Sequence, residues 1–415
     1  MIAQIFPKDF RRYLSLPVLG RLMNPFAAWL HGQHYTWRSS QFELRMAAHV
    51  CEYLQRRGIR DVEDVREQHM RACYRLFRRK FPNEAGSVRV LGRFLVEQGF
   101  MRTPAVTASS WAGVHLNAFR SHLRDARGYA PSTIQQQVDV AAELLDWLNF
   151  EGQPHRLSSL SIVHVEKFVR RLGKRLGRAS LQKCIATLRK FFRFLATGRV
   201  IPVGLDHQID TPRVYRQERL PRALPWPTVQ VLLRSINRNR AIGKRDYAMF
   251  SLMATYGLRA CDVVALTLDD IQWRAGCIRI CQSKTGNPLE LPLTPAVSSA
   301  IYDYLKNVPR YGKYRQVFLR IKAPGGILKG TAVTEAFQAW SRESGLKIPF
   351  QGAQCLRHSY ALHLLRQGQS LKTIGDLLGH RSPESTAVYI RLATDDLREV
   401  ALPVPAFTEG QKEGL

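Results

Sequence analysis

Between residues 108 and 200 the chain repeats one pattern in four segments: HLNAFRSHLRDARG, STIQQQVDVAAELLDWLNFEG, VEKFVRRLGKRLG and ASLQKCIATLRKFFRFLATG. Apolar residues recur at three- and four-residue spacing, Arg and Lys fill the other face, and several segments close on Gly as a helix C-cap does. Such a stretch folds as a small helical bundle around one apolar interior. Residues 35–106 carry the same helical period behind a basic, aromatic-containing lead-in. A different period comes later. IQWRAGCIRICQSKTGNPLELPL alternates like strands, with turns at Ala275-Gly276 and Gly286-Asn287, and predicts a three-stranded meander. The expected fold is mainly α with a small antiparallel β meander. It comprises an N-terminal helical extension (1–106), a helical domain (108–200), a linker rich in Pro and Arg (201–222), an α+β domain (223–400) and a tail (401–415).

The two helical regions share a faint repeat. In each, an apolar helix end and a Gly (Gly58, Gly152) precede a short turn, and a His-apolar pair (His69-Met70, His164-Val165) opens the next helix. Both close on Phe-Leu followed by Gly. Two unrelated small helical domains would share much of this, so the repeat is an expectation for the structure to decide.

The chain has 62 Lys and Arg against 33 Asp and Glu, a formal net charge of +29. That excess favours a polyanionic partner, because each neutralised phosphate releases condensed counterions. DNA and RNA both satisfy it. No segment approaches the length of apolar residues that spans a bilayer, and the N-terminus lacks the pattern of a secretion signal. Seven scattered cysteines with no CxxC pair fit reduced thiols in the cytoplasm and offer no metal-ligand spacing.

Six polar side chains in the C-terminal half stand in a suggestive order: Arg259 in GLRACD, Lys284 in QSKTGNPLELPL, Gln354 and Arg357 in GAQCLRHSY, His380 in LLGH and Tyr389 in STAVYIRL. Cutting and rejoining a phosphodiester requires a nucleophile and cations around the phosphoryl oxygens. Gly257 permits a reversal that leaves Arg259 at the start of a helix, where its planar fork suits two phosphate oxygens. Asp262 is placed to hold that guanidinium or the helix N-terminus. Lys284 sits at the edge of the second meander turn, within reach of a leaving oxygen as a general acid. Arg357 is expected near a helix start, where the dipole favours phosphate. Gly379 ends a helix so that His380 emerges at its terminus, and Tyr389 follows near the end of the next one. Tyr256 and Tyr360 are alternative nucleophiles. His358 and His363 are expected to be packing residues.

This order and spacing resemble the tyrosine recombinases, the phage integrase family. The resemblance covers roughly the C-terminal half, and 108–200 is similar to the core-binding domain that precedes the catalytic domain there. It implies attack by Tyr389, a 3′-phosphotyrosyl link and a free 5′ hydroxyl, with no cofactor, because the covalent link conserves the bond energy. It implies double-stranded DNA at paired recombination sites, a tetramer of protomers at the synapse and accessory proteins in some systems. The tail, with Leu402, Val404 and Phe407, is expected to dock on a neighbour. One position departs from the family: Gln354 stands where histidine is usual, and an amide donates a hydrogen bond but exchanges no proton near neutral pH. Two rivals remain: a type IB topoisomerase with the same nucleophile chemistry, and a DNA-binding protein that has lost catalysis.

Overall fold

The structure, a computed structural model, describes residues 1–101, 111–215, 218, 220–310, 314–349 and 352–392. The chain divides into two compact units. One comprises Ile2–Phe26 and Phe42–Glu218; the other comprises Arg219–Leu415 with Met1 and Ala27–Gln41. The expected docking tail, 401–415, lies outside the described residues.

Within the first unit, the expected bundle forms from helices Trp111–Ser121, Pro131–Trp147, Ile162–Gly173 and Arg178–Thr197. Pro131 takes the first helical position, where its missing N–H costs nothing. Ser161 opens the next helix: its backbone N–H and hydroxyl meet His164 Nδ1 at 3.3 and 2.9 Å. Phe119, Phe168 and Phe191 interlock in the core, fully buried, and each such side chain contributes about 1.5–3 kcal/mol. The segment expected as linker begins later than its composition suggested. Ile201, Leu205 and Ile209 enter the bundle core, Arg193 pairs with buried Asp206 at 2.9 Å, and Arg189 donates to Ile209 O at 2.5 Å. Three apolar side chains and two charge-assisted bonds outweigh the extended preference of a Pro-containing stretch.

In the second unit, helix Ala241–Tyr256 is buried on nearly every side, with Ala248, Met249, Phe250, Leu252 and Met253 inaccessible. Helices Pro295–Asn307, Gly330–Glu343 and Gln354–Arg366 pack against it. Its one buried carboxylate, Asp246, accepts from Arg245 Nε at 2.8 Å and Trp340 Nε1 at 2.9 Å. The meander forms as expected: β1 (Ile271–Gln272), β2 (Cys277–Cys281) and β3 (Pro288–Pro292) pair antiparallel in that order. Gly276 and Gly286 supply the left-handed turn residues, at φ +65° and +69°. A second ribbon, Leu319–Arg320 with Gly326–Ile327, went unforeseen. The cysteines are free thiols. Among the described residues no helix is long and apolar enough to cross a membrane.

Candidate active site

Gly257 ends the buried helix in the left-handed conformation, φ +64°. A side chain there would collide with Leu378 Cδ2 at 2.5 Å and the Tyr360 ring at 2.8 Å. The tight reversal makes Arg259 the N-cap of the short helix Ala260–Ala265, as its sequence predicts. Arg259 Nη1 donates to Gln282 Oε1 at 2.9 Å and lies 3.7 Å from Asp262 Oδ2. Asp262 is buried, and its other oxygen accepts from Ser283 N at 2.9 Å. It therefore holds both the arginine and the turn that carries Lys284. Lys284 itself is exposed on that turn.

Arg357 differs from its expected setting. It is the fourth residue of helix Gln354–Arg366, and Gln354 stands first, exposed. Arg357 is 2% exposed. Nη1 donates to Gly257 O at 2.7 Å and Nη2 to Leu378 O at 2.8 Å. These carbonyls, each at a helix C-terminus, carry unsatisfied partial negative charge that favours a cation. Burial pushes Arg357 down to about 10, with Arg259 adding to the effect. Gln354 lies one turn before it on the same helix face.

Helix Leu371–Leu378 ends at Gly379, φ +61°, where an added Cβ would come within 2.4 Å of the Gln282 amide. His380 follows, its N–H closing the turn on Gly375 O at 2.9 Å. Its Nδ1 meets Thr386 Oγ1 at 2.7 Å. Burial first, then Arg357, Arg259 and His358, lower His380 to about 4. The ring is neutral at pH 7, and its Nε2 is the nitrogen left for a ligand.

Tyr389 lies just past the short helix Glu384–Ala387 and is 2% exposed. Its ring is nearly parallel to His380, centroids 6.4 Å apart. Its hydroxyl is 3.0 Å from His358 Nδ1. The packing role expected for His358 is thus corrected: a ring nitrogen faces the tyrosine oxygen, because helix Gln354–Arg366 turns Arg357 towards the Gly257 and Leu378 carbonyls and the next residue, His358, towards Tyr389. Burial, then Arg357, lower His358 to about 4. Burial raises Tyr389, while Arg357 and Arg259 pull it back. His363 behaves as expected and stacks on Trp226 at 4.2 Å. The Tyr256 hydroxyl is committed to Pro292 O at 2.6 Å.

Gln282 also escaped the sequence analysis. It is 1% exposed. Its oxygen accepts from Arg259 and from Thr285 Oγ1 at 2.8 Å, and its nitrogen donates to Leu378 O at 3.1 Å. Leu378 O is also an acceptor of Arg357, so one amide couples the two arginines and the Lys284 turn. Arg259, Asp262, Gln282 and Arg357 are thus tied together, His358 meets Tyr389, and the His380 ring lies parallel to Tyr389, with Lys284 and Gln354 exposed. The site contains a potential nucleophile, a neutral imidazole at hydrogen-bond distance from it, and two fixed cations. A cavity of about 370 Å³ reaches His380 and Thr386, and a cleft of about 670 Å³ lies between Tyr129 and Arg193.

Residues 227–395 match the phage integrase family, and residues 116–198 match the phage integrase N-terminal SAM-like domain. A putative integrase/recombinase, y4rA, of Sinorhizobium fredii is 34% identical over 386 residues, covering 92% of this chain and 93% of that protein. The tyrosine recombinase XerD of Listeria monocytogenes is 29% identical over 291 residues, 69% of this chain and 92% of that one. A lambda integrase tetramer bound to a Holliday junction shares the fold, with a TM-score of 0.51 at 16% identity over 74% of this chain and 86% of that one.

Proposed function

The chain belongs to the phage integrase family, the tyrosine recombinases, and from that premise we propose that it exchanges strands between paired sites on duplex DNA through a 3′-phosphotyrosyl link at Tyr389. It is a DNA strand-transferring enzyme that acts site-specifically. The observation that carries the assignment is the Tyr389 hydroxyl, 3.0 Å from the neutral His358 Nδ1 and beside the buried Arg357.

In the proposed reaction the Tyr389 oxygen bonds to phosphorus as the bond to the 5′ oxygen breaks in line. The phenolic proton passes to His358 Nδ1, and the Lys284 ammonium gives a proton to the leaving 5′ oxygen. Arg259, Arg357 and His380 Nε2–H stabilise the charge on the non-bridging oxygens, and Gln354 adds a neutral donor. Fixed donors aimed at developing charge usually supply the largest catalytic contribution. Rejoining reverses each transfer: a 5′ hydroxyl from the partner duplex attacks, Lys284 takes its proton, and Tyr389 recovers its own from His358.

The module 111–200 would clamp the duplex, and four protomers would assemble two sites, as in the lambda integrase tetramer. Movement of a mobile element is the role this chemistry fits. The test is covalent adduct formation on nicked suicide duplexes drawn from the DNA that flanks the gene, with and without Tyr389. Adduct formation with strand exchange between two duplexes supports the proposal. Relaxation of supercoils with no exchange would point to the topoisomerase alternative, and no adduct at all to a binding protein.

A further inference from the structure

Residues 20–101 reproduce the module at 111–200, in register. The first helices read Asn24-Pro25-Phe26 and Asn117-Ala118-Phe119. Each is followed by a left-handed residue, His34 and Gly128, both at φ +61°, and by a return bond: Tyr35 N to Leu30 O at 3.0 Å, Tyr129 N to Leu123 O at 3.2 Å. The second helices end on Gly58 (φ +78°) and Asn149 (φ +51°), closed by Ile59 N to Leu54 O and Phe150 N to Leu145 O. Asn149, not the expected Gly152, is therefore the partner of Gly58. Arg66 N donates to His69 Nδ1 at 3.1 Å, as Ser161 N does to His164. Helix Glu67–Lys80 buries Met70, Cys73 and Phe77 where Ile162–Gly173 buries Val165, Phe168 and Leu172. Helix Ala85–Glu97 buries Val88, Leu91 and Leu95 where Arg178–Thr197 buries Leu188, Phe191 and Leu195. Arg93-Phe94-Leu95 and Arg193-Phe194-Leu195 coincide in the same register.

A shared core explains matching buried positions. It leaves exposed positions free, yet cations match there too: Arg75 with Arg170, Arg79 with Lys174, Lys80 with Arg175 and Arg93 with Arg193. In the later module Arg170 is paired with Glu166, Arg175 with Glu143 and Arg193 with Asp206. In the earlier one Arg75, Arg79, Lys80 and Arg93 are exposed and form no ion pair among the described residues. The two helices that carry them hold only Glu67 and Glu97 as acids, and Glu67 is occupied by Arg71.

We propose that residues 20–101 form a second duplex-DNA clamp, which engages the phosphate backbone through Arg75, Arg79, Lys80 and Arg93. The inference rests on the DNA-binding role proposed above for the later module. The protein would then occupy a longer duplex than its later module and strand-transfer domain alone.

The test uses the full chain and its R75A/R79A/K80A/R93A variant, with anisotropy on random-sequence duplexes of one, two and four helical turns over a range of salt. The parent should gain affinity with duplex length, and the variant should not. The slope of log K against log salt should fall by about 3 to 4, at roughly 0.9 for each phosphate no longer neutralised. The charge-preserving R75K/R79K/R93K protein should keep the parent slope, which separates weakened phosphate binding from a disturbed fold. Equal slopes and equal length dependence for parent and alanine variant would overturn the inference. So would a loss of affinity of the same size at every salt concentration, which denotes something other than phosphate binding. Adduct formation on nicked duplexes is scored separately. A smaller slope in the alanine variant than in the parent, with no adduct from the parent, would keep the second clamp and sink the strand-transfer assignment.

Discussion

Replacing His358 by phenylalanine keeps a flat ring in the buried site and removes the nitrogen 3.0 Å from the Tyr389 hydroxyl. Two losses follow. The hydroxyl is left without its partner in a desolvated place, which costs about 1–3 kcal/mol. The proton of the attacking phenol also loses its acceptor, and a positioned base is worth about 10²–10⁴ in rate, equivalent to about 3–6 kcal/mol at 1.4 kcal/mol per tenfold. Single-turnover adduct formation should slow by that factor, with DNA affinity close to the parent. His358→Gln can accept the hydrogen bond but holds no proton, so it should restore stability and leave the rate low. The parent's pH profile carries a further check. His358 in the free protein is lowered to about 4, so it is neutral and able to accept across the neutral range. The second-order rate at subsaturating DNA, which reports the free enzyme, should therefore show no histidine titration near 6.5 and should decline only as the pH approaches about 4. Parent-like cleavage by His358→Phe would refute the proton-transfer role and return His358 to packing.

Tyr389→Phe should bind DNA and form no adduct; an adduct would move the nucleophile elsewhere, and mapping it by peptide sequencing would say where. Lys284→Ala should cleave slowly on ordinary DNA and near the parent rate when sulfur replaces the bridging 5′ oxygen, because a thiolate leaves without a proton; absence of that rescue would remove Lys284 from the general-acid role. Gln354→Ala should lose about 1–3 kcal/mol of transition-state stabilisation, whereas Gln354→His should retain activity and gain a pH dependence around 6 to 7; equal single-turnover rates for parent and Gln354→Ala would make this side chain a bystander. Gly379→Ala places a Cβ 2.4 Å from the Gln282 amide at φ +61° and should lower both melting temperature and cleavage; an unchanged melting curve would refute the claimed tightness.

What was legible in the sequence was punctuated locally. Gly257 before Arg259, the Gly286 turn beside Lys284 and Gly379 before His380 each fix a bend within a few residues of a candidate site residue. The meander was legible in the alternation of Ile278, Arg279 and Ile280 and in its two Gly turns. The residues that were missed take their roles from distant segments. His358 depends on Tyr389, 31 residues on, and Gln282 on Leu378, 96 residues on. Neither pairing leaves a periodic trace. Gln282 looked like any turn-flanking polar residue, and His358 like a half-buried histidine on an apolar helix. The linker boundary failed for a similar reason: Ile201, Leu205 and Ile209 show no regular period, and only the bundle surface that receives them makes them core. The repeat was seen through Gly152, whereas the left-handed position belongs to Asn149, whose short polar side chain tolerates that conformation.

The site holds more positive charge than it neutralises. Arg259 contributes to lowering Arg357, and both contribute to lowering His380. Asp262 is the one buried carboxylate beside them, and its Oδ2 forms no hydrogen bond among the described residues. On the proposed assignment, a phosphodiester between the arginines would supply the compensating anion. It should raise His358 and His380 back towards ordinary imidazole values, and so make His358 a better proton acceptor once DNA is bound than before. Before binding, Tyr389 is buried, raised in pKa by that burial, and paired with an imidazole that resists protonation. On the proposed assignment, the substrate's own charge switches on the base that activates the nucleophile. Linkage requires the converse: DNA that binds the native form stabilises it, and the stabilisation should be smaller in Arg259→Ala and Arg357→Ala proteins than in the parent at equal DNA occupancy.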